Sequence, residues 1–73
     1  MTATTTALEI IAMAERHALL SPSAALCLAD ARISICMGDA RNAIRRAIKS
    51  LAYSVGVFDA DYQAADTLAR GVA

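Results

Sequence analysis

The 73-residue sequence predicts an all-α fold, a compact bundle of about four short helices joined by tight turns. Apolar residues recur at helical spacing along most of the chain, and no stretch alternates as a strand does. Each of the three glycines follows a predicted helix, and two of them come just before an aspartate that can cap the next one. These signals place the helices at 7–20, 22–37, 40–55 and 60–70.

The N-terminal residues 1–5 are expected to form a disordered end, and residues 6–73 a single helical domain. Thr6 and Glu9 have the spacing of a capping box, in which each side chain bonds to the other residue's backbone amide. The first helix is therefore expected to start after Thr6. Its inward face is predicted to contain Leu8, Ile11, Ala12, Ala18 and Leu19.

The second helix is the one around which the rest of the bundle is expected to be arranged. Ser21 is a good N-cap, and Pro22 suits the first helical position, where its missing N–H has no cost. Leu28 and Ile35 lie on the face opposite to a longer apolar stripe. That stripe is formed by Leu26, Ala29, Ile33, Cys36 and Met37. Because both faces are apolar, we expect this helix to lie in the middle of the cluster, with a second copy of the chain covering part of it.

The last two helices have clean amphipathic patterns. Gly38 and Asp39 separate the second helix from the third, and Gly56 and Asp59 separate the third from the fourth. The inward residues of the third helix are predicted to be Ala40, Ile44, Ala47, Ile48, Leu51 and Val55. Those of the fourth are predicted to be Tyr62, Ala65, Leu68 and Ala69. The three aromatic residues Tyr53, Phe58 and Tyr62 are expected to cluster in a core corner where these two helices meet.

Composition indicates a protein that binds other proteins, including itself. Hydrophobic residues make up 58% of the chain, although 18 of the 73 residues are alanines. A chain this short buries only a modest core, so the surplus apolar surface predicts a homo-oligomer, most simply a dimer. The formal net charge is zero, which argues against general attraction to nucleic acid or to anionic lipid. No apolar run approaches the length of a membrane span and no signal peptide is visible, so we expect a cytoplasmic protein without membrane contact.

The residues that usually carry chemistry are few, and they are scattered. Cys27 and Cys36 would point in opposite directions on one helix, which predicts two free, buried thiols in a reducing compartment. His17 has no partner at helical spacing and forms no zinc pattern with the cysteines. The carboxylates Glu15 and Asp30 are expected to form salt bridges with Arg32 or Arg16. We therefore expect no enzymatic activity, no catalytic residues, no cofactor and no metal.

One charged feature is a candidate binding site, the basic face of the third helix formed by Arg41, Arg45, Arg46 and Lys49. This face can be solvated and have no partner, or it can have one of three kinds of partner. These cations can pair with the acidic start of the fourth helix, bind an acidic protein surface, or bind nucleic acid phosphates. The helices on either side of Gly38 are long for a helix-turn-helix, and no aromatic residues are interleaved with the cations, which disfavours nucleic acid.

Two resemblances bear on this interpretation. The segment from Gly38 to Leu51 resembles the turn and second helix of a tetratricopeptide unit, but Asp30 departs from the pattern of the first helix and no second unit follows. We therefore treat it as an ordinary helical hairpin. The short, alanine-rich chain also resembles phage or mobile-element proteins that inhibit host complexes, anti-CRISPR proteins among them. The sequence thus predicts a small non-enzymatic adaptor or inhibitor, with host-complex inhibition and nucleic-acid binding as alternatives.

Overall fold

The computed structural model describes residues 2–72 and confirms the all-α fold. Its α-helices are α1 (Ala3–Glu15), α2 (Pro22–Cys36), α3 (Ala40–Val55) and α4 (Ala60–Arg70), with a 3₁₀ turn at Ala18–Leu20 between the first two. No strand is present within residues 2–72. The predicted boundaries of α2, α3 and α4 therefore hold to within one residue.

The predicted start of α1 was wrong, because the helix begins one turn earlier. The Oγ1 atom of Thr2 accepts a hydrogen bond from the Thr5 amide at 3.1 Å, so Thr2 rather than Thr6 is the N-cap. Residues 3–5, predicted to be disordered, form the first helical turn; residue 1 lies outside the described range. Thr6 is instead buried, with a relative exposure of 1%. Thr6 and Ala7 are both buried in the core, and their small side chains let neighbouring helices approach closely.

The inward face of α1 also differs from the prediction. Ile11 is buried as predicted, and so is Ile10, which was expected at the side of that face, whereas Leu8 is 51% exposed and Leu19 is 94% exposed. The helix ends at Glu15 and not at residue 20, and the chain tightens into the 3₁₀ turn. This early end removes Leu19 from the α1 face, because its direction is now set by the turn that leads into α2.

The turn between α2 and α3 contains the glycine and the capping aspartate that the sequence predicted. Gly38 has a φ of 77°, a conformation that favours glycine. Its amide donates to the Ile35 carbonyl at 3.1 Å, and the Asp39 amide donates to the Ser34 carbonyl at 2.8 Å. This pair of bonds is the Schellman arrangement that satisfies the last carbonyls of a helix. Asp39 then caps α3 by accepting from the Asn42 amide at 3.1 Å.

The helix at the centre of the bundle is α3, not α2. Helix α3 packs against all three other helices and does so more extensively than α1, which also touches all three, whereas α2 and α4 do not touch each other. The core that α3 shares with its neighbours consists largely of alanines and a few larger side chains, chiefly Ile10, Leu28, Ile44 and Leu51. Helix α2 packs on one face only. Alanine at so many interhelical positions lets one central helix contact three others in a chain of this size.

Candidate interaction surfaces

The four predicted site residues of the basic face are divided between two regions of the surface. Arg41 and Arg45 lie near the start of α3, beside a shallow depression of about 320 Å³. Arg46 and Lys49 point toward α2, where Arg46 Nε lies 3.6 Å from Asp30 Oδ2. Lys49 Nζ lies 5.9 Å from the centroid of the Tyr53 ring. Arg41 and Arg45 therefore border one depression, and Arg46 and Lys49 border another.

The acidic start of α4 does not meet this basic face, so that alternative was wrong. Asp59 caps its own helix by accepting from the Asp61 amide at 2.8 Å. Asp66 pairs with Arg70 one turn later, at 2.8 Å. Asp61 is directed to the opposite side of the bundle, toward α1. Glu15 pairs with Arg32 at 3.2 Å, as predicted, whereas the prediction was wrong for Asp30, which lies beside Arg46 of α3 and not beside Arg32 or Arg16.

The most apolar exposed surface lies on α2. Leu26 is 73% exposed, Ile33 is 57% exposed and Met37 is 78% exposed, and all three project from one side of the helix. The face that is buried is the other one, which carries Leu28 and Ala31. Within one chain the helix therefore has neighbours on one face only, and coverage of the other face by a second copy stays a prediction. We call the exposed stripe of Leu26, Ala29, Ile33, Cys36 and Met37 the α2 face.

A groove lies along the edge of the α2 face, between α2 and α3. It has a volume of about 420 Å³. Leu26 and Ser23 form its α2 wall near the start of that helix, and Tyr53 and Lys49 form its α3 wall. Asp30 and Arg46 line its other end. The groove thus carries the Asp30–Arg46 pair at one end and is lined by Leu26 and Tyr53 toward the other, with Lys49 beside Tyr53.

The two cysteines have different environments. Cys27 is buried and adjoins the groove, whereas Cys36 is exposed on the α2 face. Both thiols are free, as the sequence predicted, but the expectation that both would be buried was wrong for Cys36. An exposed thiol at one end of an apolar stripe is a useful reporter for any partner that covers it.

A second exposed apolar surface lies at the end of the bundle where α1 turns into α2 and α3 turns into α4. Leu19 and Leu20 are 94% and 79% exposed in the first turn, and Phe58 is 92% exposed in the second. His17 and Asp61 hold these turns at the same end, because the ring N–H at Nε2 donates to Asp61 Oδ2 at 2.6 Å. The predicted aromatic corner therefore does not include Phe58, although Tyr62 packs against the core.

The His17–Asp61 pair is the structure's closest approach to catalytic geometry, and it lacks a nucleophile. Asp61 is the one side-chain hydrogen-bond partner of the ring among residues 2–72. No group of three or more His, Cys, Asp or Glu side chains in this range could hold a metal ion. No helix within the same residues is both long and apolar enough to cross a bilayer. The side chains of His17 and Asp61 are 24% and 36% exposed, so their bond lies at the edge of the core.

Sequence reasoning missed two features of these surfaces for different reasons. The His17–Asp61 bond joins residues 44 positions apart, and no local pattern signals such a contact. The exposure of the α2 face had a signal in the sequence. Pro22, Leu26, Ala29, Ile33 and Cys36 are spaced by four, three, four and three residues, which is the seam of a coiled coil and narrower than a core-facing stripe.

A scan of protein-family models, a search of curated proteins and a search of solved structures found no match to this chain.

Proposed function

We propose that this chain is a non-enzymatic interaction protein that forms a homodimer through the α2 face. The observation that carries the proposal is the exposure of Leu26, Ile33 and Met37 along one side of a regular helix. Single exposed apolar side chains are normal on any protein. An ordered stripe along a helix, flanked by charged residues, is typical of a surface that binds protein.

Apolar burial on this surface sets an upper limit on the strength of the association. Complete burial of a large aliphatic side chain contributes about 1.5–3 kcal/mol. Two copies contribute six such side chains, each more than half exposed in the single chain, so the gross gain is roughly 6–12 kcal/mol. Loss of rigid-body freedom on association costs about 4–15 kcal/mol. A dimer on this surface is therefore expected to dissociate in the micromolar range or above, unless the groove adds further contacts.

The divided basic face gives less support to nucleic-acid binding. Two of its four cations are engaged at the α2–α3 edge, by Asp30 and by the ring of Tyr53. Arg41 and Arg45 are both exposed, and Arg45 also donates from Nη2 to Asn42 Oδ1 at 2.7 Å; these two residues are the proposed contact for an acidic protein surface. The two free thiols support a reducing compartment, the cytoplasm, as the proposed location.

The proposal is tested by measuring the mass of the native chain by sedimentation equilibrium from 1 to 500 μM, a range chosen to bracket the expected dissociation constant. We expect the wild type to approach twice its 7.6 kDa mass as concentration rises. The Leu26→Gln variant should remain close to the single-chain mass. A wild type that stays at 7.6 kDa throughout overturns the proposal.

The matched control is Leu8→Gln, because Leu8 is also an exposed leucine in mid-helix but lies on α1. It removes the same side chain in the same way and should leave the mass unchanged. Circular dichroism of all three proteins shows whether the helices are intact. An equal loss of association in both variants would show that the α2 face is not the interface.

A further inference from the structure

We infer that two copies pair through α2 in an antiparallel arrangement, with Met37 of each copy seated in the α2–α3 groove of the other. This inference rests on the proposed homodimer and adds its register and orientation. It follows from three properties of the α2 face: the spacing of its residues, the sizes of the side chains in that order, and the shape and charge of the groove beside it.

Over the α2 face, from Leu26 to Cys36, the spacing allows four complete layers in only one antiparallel register. Residues separated by alternating three and four positions form a seam that faces a partner helix along its length. When two such seams run in opposite directions, Leu26 lies level with Cys36 of the second copy, and Ala29 lies level with Ile33 of the second copy. Because the arrangement is two-fold symmetric, each pair occurs twice.

The side-chain sizes favour this antiparallel register over a parallel one. Each layer combines a large residue with a small one, Leu26 with Cys36 and Ile33 with Ala29, which is how facing side chains fill the space between helices evenly. In a parallel pair each residue would meet its own counterpart. Ala29 would then face Ala29 of the second copy and leave a gap between two crowded layers.

The α2–α3 groove provides a specific binding position for Met37 of the second copy. Ser23, Asp30 and Met37 follow one another at seven-residue intervals along the edge of α2 that borders the groove. In the antiparallel register, Met37 of the second copy lies opposite Ser23, at the apolar end that Leu26 and Tyr53 line. Methionine is unbranched and adapts to irregular cavities, and its sulfur contacts aromatic rings favourably. A parallel pair would instead place it near Arg32 of the second copy.

Charge at the two-fold axis is also balanced. The register brings Asp30 close to Asp30 of the second copy, and two carboxylates alone would repel. Each of them has Arg46 and Lys49 beside it in the same groove, so the second carboxylate meets an excess of cations. On the opposite edge, Arg32 approaches Arg32 of the second copy, and each is paired with its own Glu15 at 3.2 Å.

Cysteine cross-linking tests the register directly. In the Leu26→Cys variant, the introduced thiol should form a disulfide with Cys36 of the second copy under mild oxidation. After trypsin digestion, this bridge joins peptide 17–32 to peptide 33–41. It cannot form within one chain, because ten residues of helix separate the two positions by about 15 Å. The wild type is the control, since its Cys27 is buried, and it should give little of this product. A bridge between two copies of peptide 33–41 would indicate a parallel pair and overturn the inference.

A double-mutant cycle decides the matter if Leu26→Cys weakens the dimer too much to cross-link. Met37 and Tyr53 lie near opposite ends of α3, about 20 Å apart along the helix axis, so within one chain they are too distant to couple. We expect Met37→Ala and Tyr53→Ala each to raise the dimer dissociation constant about tenfold, and the double variant to raise it by much less than a hundredfold. Simple additivity would overturn the register while leaving the homodimer intact. A monomeric wild type would instead overturn the homodimer itself.

Discussion

At the residue scale, two serines on α3 differ in whether their buried hydroxyl groups make a hydrogen bond. Ser50 is fully buried, and its hydroxyl donates to the Ala24 carbonyl at 2.7 Å, which ties α3 to α2. Ser54 lies one turn later, and its Oγ is buried without a hydrogen-bond partner among residues 2–72. A satisfied buried hydroxyl stabilises a fold, whereas an unsatisfied one destabilises it.

We therefore predict opposite results for the same substitution at these two positions. Ser50→Ala should lower the free energy of unfolding by about 1 kcal/mol, because it removes the interhelical bond. Ser54→Ala should be neutral or stabilising, because it removes a polar atom that lacks a partner. Urea denaturation of the two variants beside the wild type checks both values. Equal destabilisation by the two substitutions would contradict this explanation.

Glycine at the end of α3 is required by the backbone, whereas glycine at the end of α4 is not. Gly56 has φ 88° and ψ 160°, a region that side chains other than glycine's hardly ever occupy. Gly71 has φ −76°, which any residue adopts. We predict that Gly56→Ala lowers the free energy of unfolding by about 1–3 kcal/mol, and that Gly71→Ala changes it by less than about 0.5 kcal/mol. Thermal denaturation of both variants is the measurement, and a mild effect at Gly56 would count against the strain.

At the scale of the elements, the end of α1 is attached to the start of α4 by one side-chain pair. His17 follows α1 directly, and Asp61 lies in the first turn of α4. Their 2.6 Å hydrogen bond is partly shielded from solvent and holds together two elements that the chain does not connect directly. It also fixes the relative position of the two turns that carry Leu20 and Phe58.

We predict that His17 and Asp61 contribute to stability as a coupled pair. Each single alanine variant should lower the free energy of unfolding by roughly 0.5–1.5 kcal/mol, and the double variant by less than the sum. The cycle is needed because Asp61 also places a negative charge at the N-terminus of α4, which stabilises that helix by itself. Additive losses would mean that the bond contributes nothing beyond these separate effects.

The elements also show which parts of the fold were predictable from sequence. Helices α3 and α4 were placed correctly because the signals at their ends, Gly38, Asp39, Gly56 and Asp59, are local. The start of α1 was placed wrongly because both Thr2 and Thr6 can serve as caps, and only packing against α3 decides between them. The buried face of α2 could not be chosen from hydrophobicity, since both of its faces are apolar. In that helix the smaller residues, Ala24 and Ala31, were buried, because they let α2 approach α3 closely.

At the scale of the whole molecule, the exposed apolar side chains are not the result of an open structure. The accessible surface is 4318 Å², and a compact monomer of 7.6 kDa is expected to have about 4,300 Å². The chain is therefore as compact as its size allows, and nine large hydrophobic residues within 2–72 are still exposed. A standard interface covers about 800 Å² of each partner, roughly a fifth of this surface. Pairing of two copies is the simplest way to bury the exposed α2 face.

Because pairing acts on the folded state alone, it makes thermal stability depend on concentration. A homodimer gains about 1.4 kcal/mol per tenfold rise in protein concentration, or about 0.7 kcal/mol per chain, once most chains are paired. For a domain of this size, we predict that the unfolding midpoint of the wild type rises by about 3–5 °C for each tenfold increase above the dissociation constant. The midpoint of Leu26→Gln should be independent of concentration, and that of Leu8→Gln should rise as the wild type's does. Scanning calorimetry at 20, 200 and 1000 μM measures all three, concentrations chosen to extend from the expected micromolar dissociation constant upward. A concentration-independent midpoint in the wild type would show that the folded chain is stable alone, with its α2 face uncovered.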